Sequence, residues 1–212
     1  MRNTNMNVEM KLLAYFLVLF VLSACNRQGK TETHREDVCL NNKGFEFLQA
    51  YYDDSDDKCL DSARFFLEKA LKSNDGNSVA FSNLITVLGL QEEYGEMIEL
   101  YRKRLNMIHK KAHLAKAETC FELAVLYGKT GDTVSKCEMM QNASDEFEKC
   151  FRQKPLSVDL VVSYVLFTAY KDGKEAASQE LKKYRKVFPD EDFYSAVESE
   201  LMESNLYDYF IP

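Results

Sequence analysis

The side chains that could carry chemistry in this 212-residue chain are few, and their spacing is poor for most known tasks. His109 and His113 stand at i, i+4, which would put two imidazoles on one helix face for a metal. No Glu lies between them, and Lys110, Lys111 and Lys116 would repel a cation, so the competing reading is a solvated helix end. Asp53, Asp54, Asp56 and Asp57 form an acidic run, but an EF-hand loop needs a Gly at its sharp turn and a distal Glu, both missing here. A polar turn with a capping Asp is the alternative. After Cys25, cysteines fall at 39, 59, 120, 137 and 150 with no Cys-x-x-Cys spacing. In an oxidising compartment Cys39 with Cys59, and Cys120 with Cys150, are possible disulfides; buried free thiols acting as small apolar residues are the alternative. There is no Gly-x-Ser-x-Gly and no phosphate loop. The residues therefore predict no enzyme, no metal and no cofactor beyond a lipid considered next.

That lipid is suggested by the N-terminus. Leu12 to Leu22 (LLAYFLVLFVL) is an apolar run of 11 residues, preceded by Lys11 and followed by Ser23-Ala24-Cys25. A span needs about 20 apolar residues; a short run after a positive residue and before small residues describes a secretory leader. Leu22-Ser23-Ala24-Cys25 resembles the bacterial lipobox. The resemblance implies that residues 1–24 are a signal peptide and that Cys25 is lipidated as the mature N-terminus. Asn26, where enteric bacteria place Asp for inner-membrane retention, then implies the outer membrane, facing the periplasm. Met1, Met6 and Met10 are each possible starts. Residues 25–40 read as the lipidated end and a polar tether, and 41–212 as the folded domain. Removing Arg2, Glu9 and Lys11 with the leader takes the formal charge from −7 to about −8, which argues against nucleic-acid binding.

The elements that must position any site are helical. The chain has 8 Gly and 3 Pro, where average usage would give about 15 and about 11. So few turn residues exclude a many-stranded sandwich or barrel and favour long helices. Apolar residues recur at helical spacing: Phe81, Leu84, Ile85 and Leu88, then Tyr94, Met97, Ile98, Tyr101 and Leu105 after a break at Gln91-Glu92-Glu93. A second stretch, 117–155, carries Leu123, Ala124, Tyr127, Gly131 and Asp132, then Ala143, Phe147, Cys150 and Pro155. It holds about seven extra residues, close to two helical turns, which would lengthen its helices while keeping their phase. A third, 159–189, carries Val162, Val165, Leu166, Ala169, Gly173, Ala177, Leu181, Tyr184 and Pro189, one residue short at the turn.

These patterns resemble the tetratricopeptide repeat, with Ile85, Met97 and Arg104 larger than the small residues the repeat takes. The resemblance implies an all-α fold: a right-handed α-solenoid of about four helix-turn-helix units. The first unit spans 44–52 and 62–77, and an amphipathic helix at 190–206, with Asp190 as its cap, closes the array. Stacking is required because one unit cannot bury its apolar stripe alone. The resemblance also implies a concave groove for a protein or peptide. The matching positions are Ser82, Asn83, Thr86 and Leu90; Phe121, Glu122, Val125 and Lys129; and Ser163, Tyr164, Phe167, Tyr170 and Lys171. Inter-repeat packing is the alternative for the aromatics among them. The basic stretch Arg102, Lys103, Arg104, Lys110, Lys111 and Lys116 reads as a solvated face or a contact for anionic groups. The aromatic tail, Tyr207 to Pro212, could cap the last helix or enter a groove. The expected function is a membrane-anchored envelope scaffold or assembly factor that binds another envelope protein or peptide, with no small-molecule substrate. An immunity or inhibitor lipoprotein that neutralises a toxin is the alternative.

Overall fold

The computed structural model describes residues 33–153, 155–189 and 191–203. The leader, Cys25, Asp190 and the aromatic tail lie outside them. The described residues are all-α, with successive helices packed on one another within each of two compact units, divided between Gln91 and Glu92. The division falls inside the 78–111 pair: its first helix belongs to one unit and its second to the other.

The first unit holds α1 (Thr33–Asp54), α2 (Asp57–Ser73) and α3 (Ser78–Leu90). The acidic run is the α1–α2 turn. Ser55 takes a left-handed φ of 55° and Asp56 caps α2 by accepting from Lys58 N–H at 3.0 Å. Asn77 caps α3 in the same way, accepting from Ala80 N–H at 3.0 Å. Leu48, Leu60, Ala63, Leu67, Ala70, Ala80, Leu84 and Val87 form the core. Gly44 lets α1 and α2 close on each other: a Cβ there would lie 2.6 Å from Leu67 Cγ and 3.2 Å from the Ala63 carbonyl oxygen.

The expected tether through residue 40 is corrected here, because α1 begins at Thr33. Asp37 is fully buried, and its Oδ2 accepts from Asn74 Nδ2 at 2.8 Å and Asn77 Nδ2 at 2.9 Å. These two amides come from the ends of α2 and α3. A desolvated carboxylate needs such partners, and they fix the first turns of α1 on the unit.

The second unit holds α4 (Tyr94–Met107), α5 (His113–Lys129), α6 (Thr133–Phe151), α7 (Val158–Asp172), α8 (Lys174–Lys182) and α9 (Glu191–Glu203). Asp132 caps α6, accepting from Ser135 N–H, and Ser157 caps α7, accepting from Leu160 N–H. The extra residues of 117–155 are absorbed in length, α6 having 19 residues. Gly173 alone joins α7 to α8, at a φ of 95°; a side chain would be strained there. Helix α9 seats Tyr194 and Leu201 on Val161, Val165, Ala177 and Leu181. It thereby covers the apolar faces that α7 and α8 would otherwise expose.

Candidate functional site

Most of the expected groove positions turn inward. Phe121, Val125 and Phe167 are buried in one apolar cluster with Phe147, Cys120 and Cys150. Phe121 and Phe167 meet edge-on at 5.6 Å, and Phe147 lies 5.2 Å from Phe167. Tyr164 is half-buried between Phe147 (5.4 Å) and Phe151 (4.8 Å), and Tyr170 lies against Phe121 at 5.5 Å. These aromatics hold α5, α6 and α7 together, as the packing alternative had it. The side chain of Lys171 is exposed, with Nζ 5.8 Å from the Phe167 ring. In the first unit Asn83, 4 % exposed, donates to Asn41 Oδ1 at 2.9 Å, and the Thr86 hydroxyl donates to the Ser82 carbonyl of its own helix. Both are thus engaged within the first unit.

The cysteine pairings are corrected. Cys39, Cys59, Cys120, Cys137 and Cys150 are free thiols. Gly44 faces Ala63 and Leu67, and this antiparallel register puts Cys39 and Cys59 near opposite ends of their hairpin, roughly 15 Å apart along the axis. A disulfide needs Cα atoms about 4.4–6.8 Å apart. In the α5–α6 hairpin, His113 Nδ1 meets Glu146 Oε2 at 2.6 Å. Cys120 and Cys150 lie in the same buried cluster as free thiols. Burial, with the Glu146 charge second, pushes both thiols up to about 11, the reverse of an activated nucleophile. His109 lies in the loop before α5 and His113 opens the helix, so the two do not share a helix face. Among the described residues no group of three or more His, Cys, Asp or Glu side chains is placed to hold a metal.

What stands out instead is a half-buried cluster of polar side chains in the second unit, here called the recess. Helix α4 supplies Tyr101 and Arg104, α5 supplies Glu118 and Glu122, and α7 supplies Ser163. The i, i+3 and i, i+4 spacings place each helical pair on one face. Ser163 Oγ donates to Glu118 Oε1 at 2.7 Å. Burial raises the Glu118 carboxyl; the Ser163 hydrogen bond and Arg104 oppose this, while Asp159 adds to it. Burial, then the Glu118 charge, pushes Glu122 up to about 7. Burial also raises Tyr101, with Glu122 reinforcing and Arg104 opposing, and lowers Arg104, with Tyr101 and Glu118 opposing. The recess thus holds two carboxyls against one guanidinium in a poorly solvated place. Near neutral pH Glu122 is close to half-protonated and can accept from a cationic donor or give a hydrogen bond itself.

No family model, curated protein or solved structure matches this chain. Its chemistry therefore rests on its own residues. The groove expectation named Glu122 and Ser163 but passed over Tyr101, Arg104 and Glu118. Two signals pointed to them. Arg104 is a cation at a helix position that the apolar periodicity of Tyr101 and Leu105 flanks, and Glu118–Glu122 is a like-charge i, i+4 pair, which an isolated helix disfavours. Arg104 accordingly leaves the solvated basic stretch and joins the recess.

A second surface feature of this unit is apolar. Val158, Val187, Phe188, Pro189 and Phe193 line an open apolar notch of about 470 Å³.

Proposed function

We propose that this chain is a lipid-anchored protein of the bacterial cell envelope whose stacked helical pairs capture another protein or peptide. It would serve as a scaffold or assembly factor. The observation that carries the binding half is the recess of Glu118, Glu122, Ser163, Tyr101 and Arg104. Burying carboxyls without full compensation costs stability. Strongly perturbed groups in a recess are candidates for function rather than for structure. The acidic excess suits a basic side chain or amine of the partner, which would complete the charge balance. The lipobox-like Leu22-Ser23-Ala24-Cys25 carries the other half, and anchoring would raise the effective concentration of a co-anchored partner.

Two experiments test the two halves separately. Cys25→Ser should move the protein from the membrane fraction to the soluble one; unchanged fractionation sinks the anchor. Crosslinking in intact envelopes should yield an adduct with the wild type that Glu118→Gln/Glu122→Gln loses. An adduct of equal yield in that variant sinks the recess as the binding site.

A further inference from the structure

One side of the α1–α2 hairpin carries a patch that the core does not use. Phe47 stacks on Phe66 with centroids 5.7 Å apart, and Phe66 meets Phe65 edge-on at 5.2 Å. Lys43 Nζ lies 4.6 Å above the Phe66 ring, and Lys69 Nζ lies 4.1 Å above Phe65. The contacts join these five residues into one surface, on which Phe65 is 51 % exposed. Glu68, the neighbouring acid on α2, is held by Arg64 at 2.7 Å. The result is a row of three rings with one ammonium over the middle ring and one over the Phe65 end.

Its position along the hairpin is polarised. Gly44 faces Ala63 and Leu67, so Lys69 lies toward the end where the chain arrives from Cys25. The acidic turn Asp53–Asp57 lies at the opposite end. Seven residues separate Cys25 from Thr33, a reach of at most about 27 Å, and α1 adds about 15 Å to Lys43. We infer that this patch is a membrane-contact face: its rings sit at the headgroup boundary of an anionic bilayer while Lys43 and Lys69 meet lipid phosphates. Lysine stems lie along apolar surface with the charge held at the interface, and aromatic residues beside cations are the composition of an interfacial surface. The inference rests on the anchor reading above, since the short link from a lipidated Cys25 is what holds the face near the bilayer.

The chain contains no Trp, so Phe65→Trp places a single indole on the patch. The full chain carrying this change is bound to phosphatidylglycerol vesicles with brominated acyl chains. Its emission should shift to the blue and be quenched, while an Asp53→Trp chain at the acidic turn keeps water-exposed emission. Quenching should be weaker on phosphatidylcholine vesicles. Adding Lys43→Glu and Lys69→Glu should weaken it about tenfold in lipid titration. Water-exposed emission from Phe65→Trp on anionic vesicles overturns the proposal. So does a blue shift without lipid quenching, which burial against a second copy or a protein would give, and so does quenching indifferent to the charge reversals. Labelling of the wild-type chain with a fatty acid in cells, lost in Cys25→Ser, reports the anchor separately. A wild type that takes no label refutes the anchor whatever the vesicles show, and a labelled wild type whose Phe65→Trp chain stays water-exposed on anionic vesicles refutes the face alone.

Discussion

Replacing Glu122 by Gln should stabilise the protein above neutral pH and change little in acid. Burial and the Glu118 charge hold the Glu122 carboxyl at about 7 in the folded chain, against an ordinary value of 4.5. Between those values the folded state keeps a proton that the unfolded chain has released. Stability therefore falls as pH rises from about 4.5 to about 7 and is level above that. At about 1.36 kcal/mol for each pH unit, the full effect is on the order of 3 kcal/mol. Gln has nearly the same shape, keeps its hydrogen-bonding capacity and has no charge to desolvate. It should recover about 2–3 kcal/mol at pH 8, a rise in melting midpoint of roughly 5–10 °C, and close to nothing at pH 4. Glu118, raised in the same direction, leaves the variant a residual slope. Thermal and urea unfolding of both full-length proteins, followed by far-ultraviolet circular dichroism at pH 4, 6 and 8, gives the comparison. Curves that converge in acid and separate in alkali support the desolvated recess. A constant offset across the range, or a destabilised variant at pH 8, would refute it, because the carboxylate would then be charge-compensated.

Gly44→Ala should destabilise by about 1–3 kcal/mol, because the contact with the buried Leu67 outweighs the better helix propensity of Ala; an unchanged urea midpoint would show that α1 and α2 can part. Phe167→Ala should cost about 3–5 kcal/mol and, with Tyr164→Ala, melt the second unit cooperatively; a pair of variants that keeps its melting midpoint would return those rings to the groove. Gly173→Ala should cost about 1–2 kcal/mol through its φ of 95°, read as a lowered melting midpoint. Alkylation at pH 7.5, mapped by mass spectrometry, should label Cys39 and Cys137 rapidly and spare Cys120 and Cys150 until denaturant is added.

The helices were legible because their signals are local. Periodic apolar residues, Asp and Ser caps and the sparse glycines each act within one or two turns. The start of α1 was not, because residues 33–37 are polar, and what fixes them as helix on the unit is a carboxylate meeting amides about 40 residues away. The aromatics of α5 and α7 were ambiguous for a related reason. A large ring on a helix face serves packing or binding equally well, and only the partner helix decides. Phe121 and Phe167 were decided by each other. Glu122 was visible as a groove position, yet its perturbation comes from Glu118 and from burial by neighbours that pattern alone does not place. The division at Gln91 was hidden because the sequence period counts helices in pairs, whereas the packing groups three and then six.

The Asp37 clamp also sets how this protein carries load. If the chain upstream of Thr33 is pulled, only residues 33–36 can unwind before the strain reaches Asp37 and its bonds to Asn74 and Asn77. Unwinding four helical residues yields about 8 Å of slack. Beyond that the force passes into the ends of α2 and α3 together. A pull applied at Thr33 is then felt by the whole first unit as one body, and not by a single fraying helix.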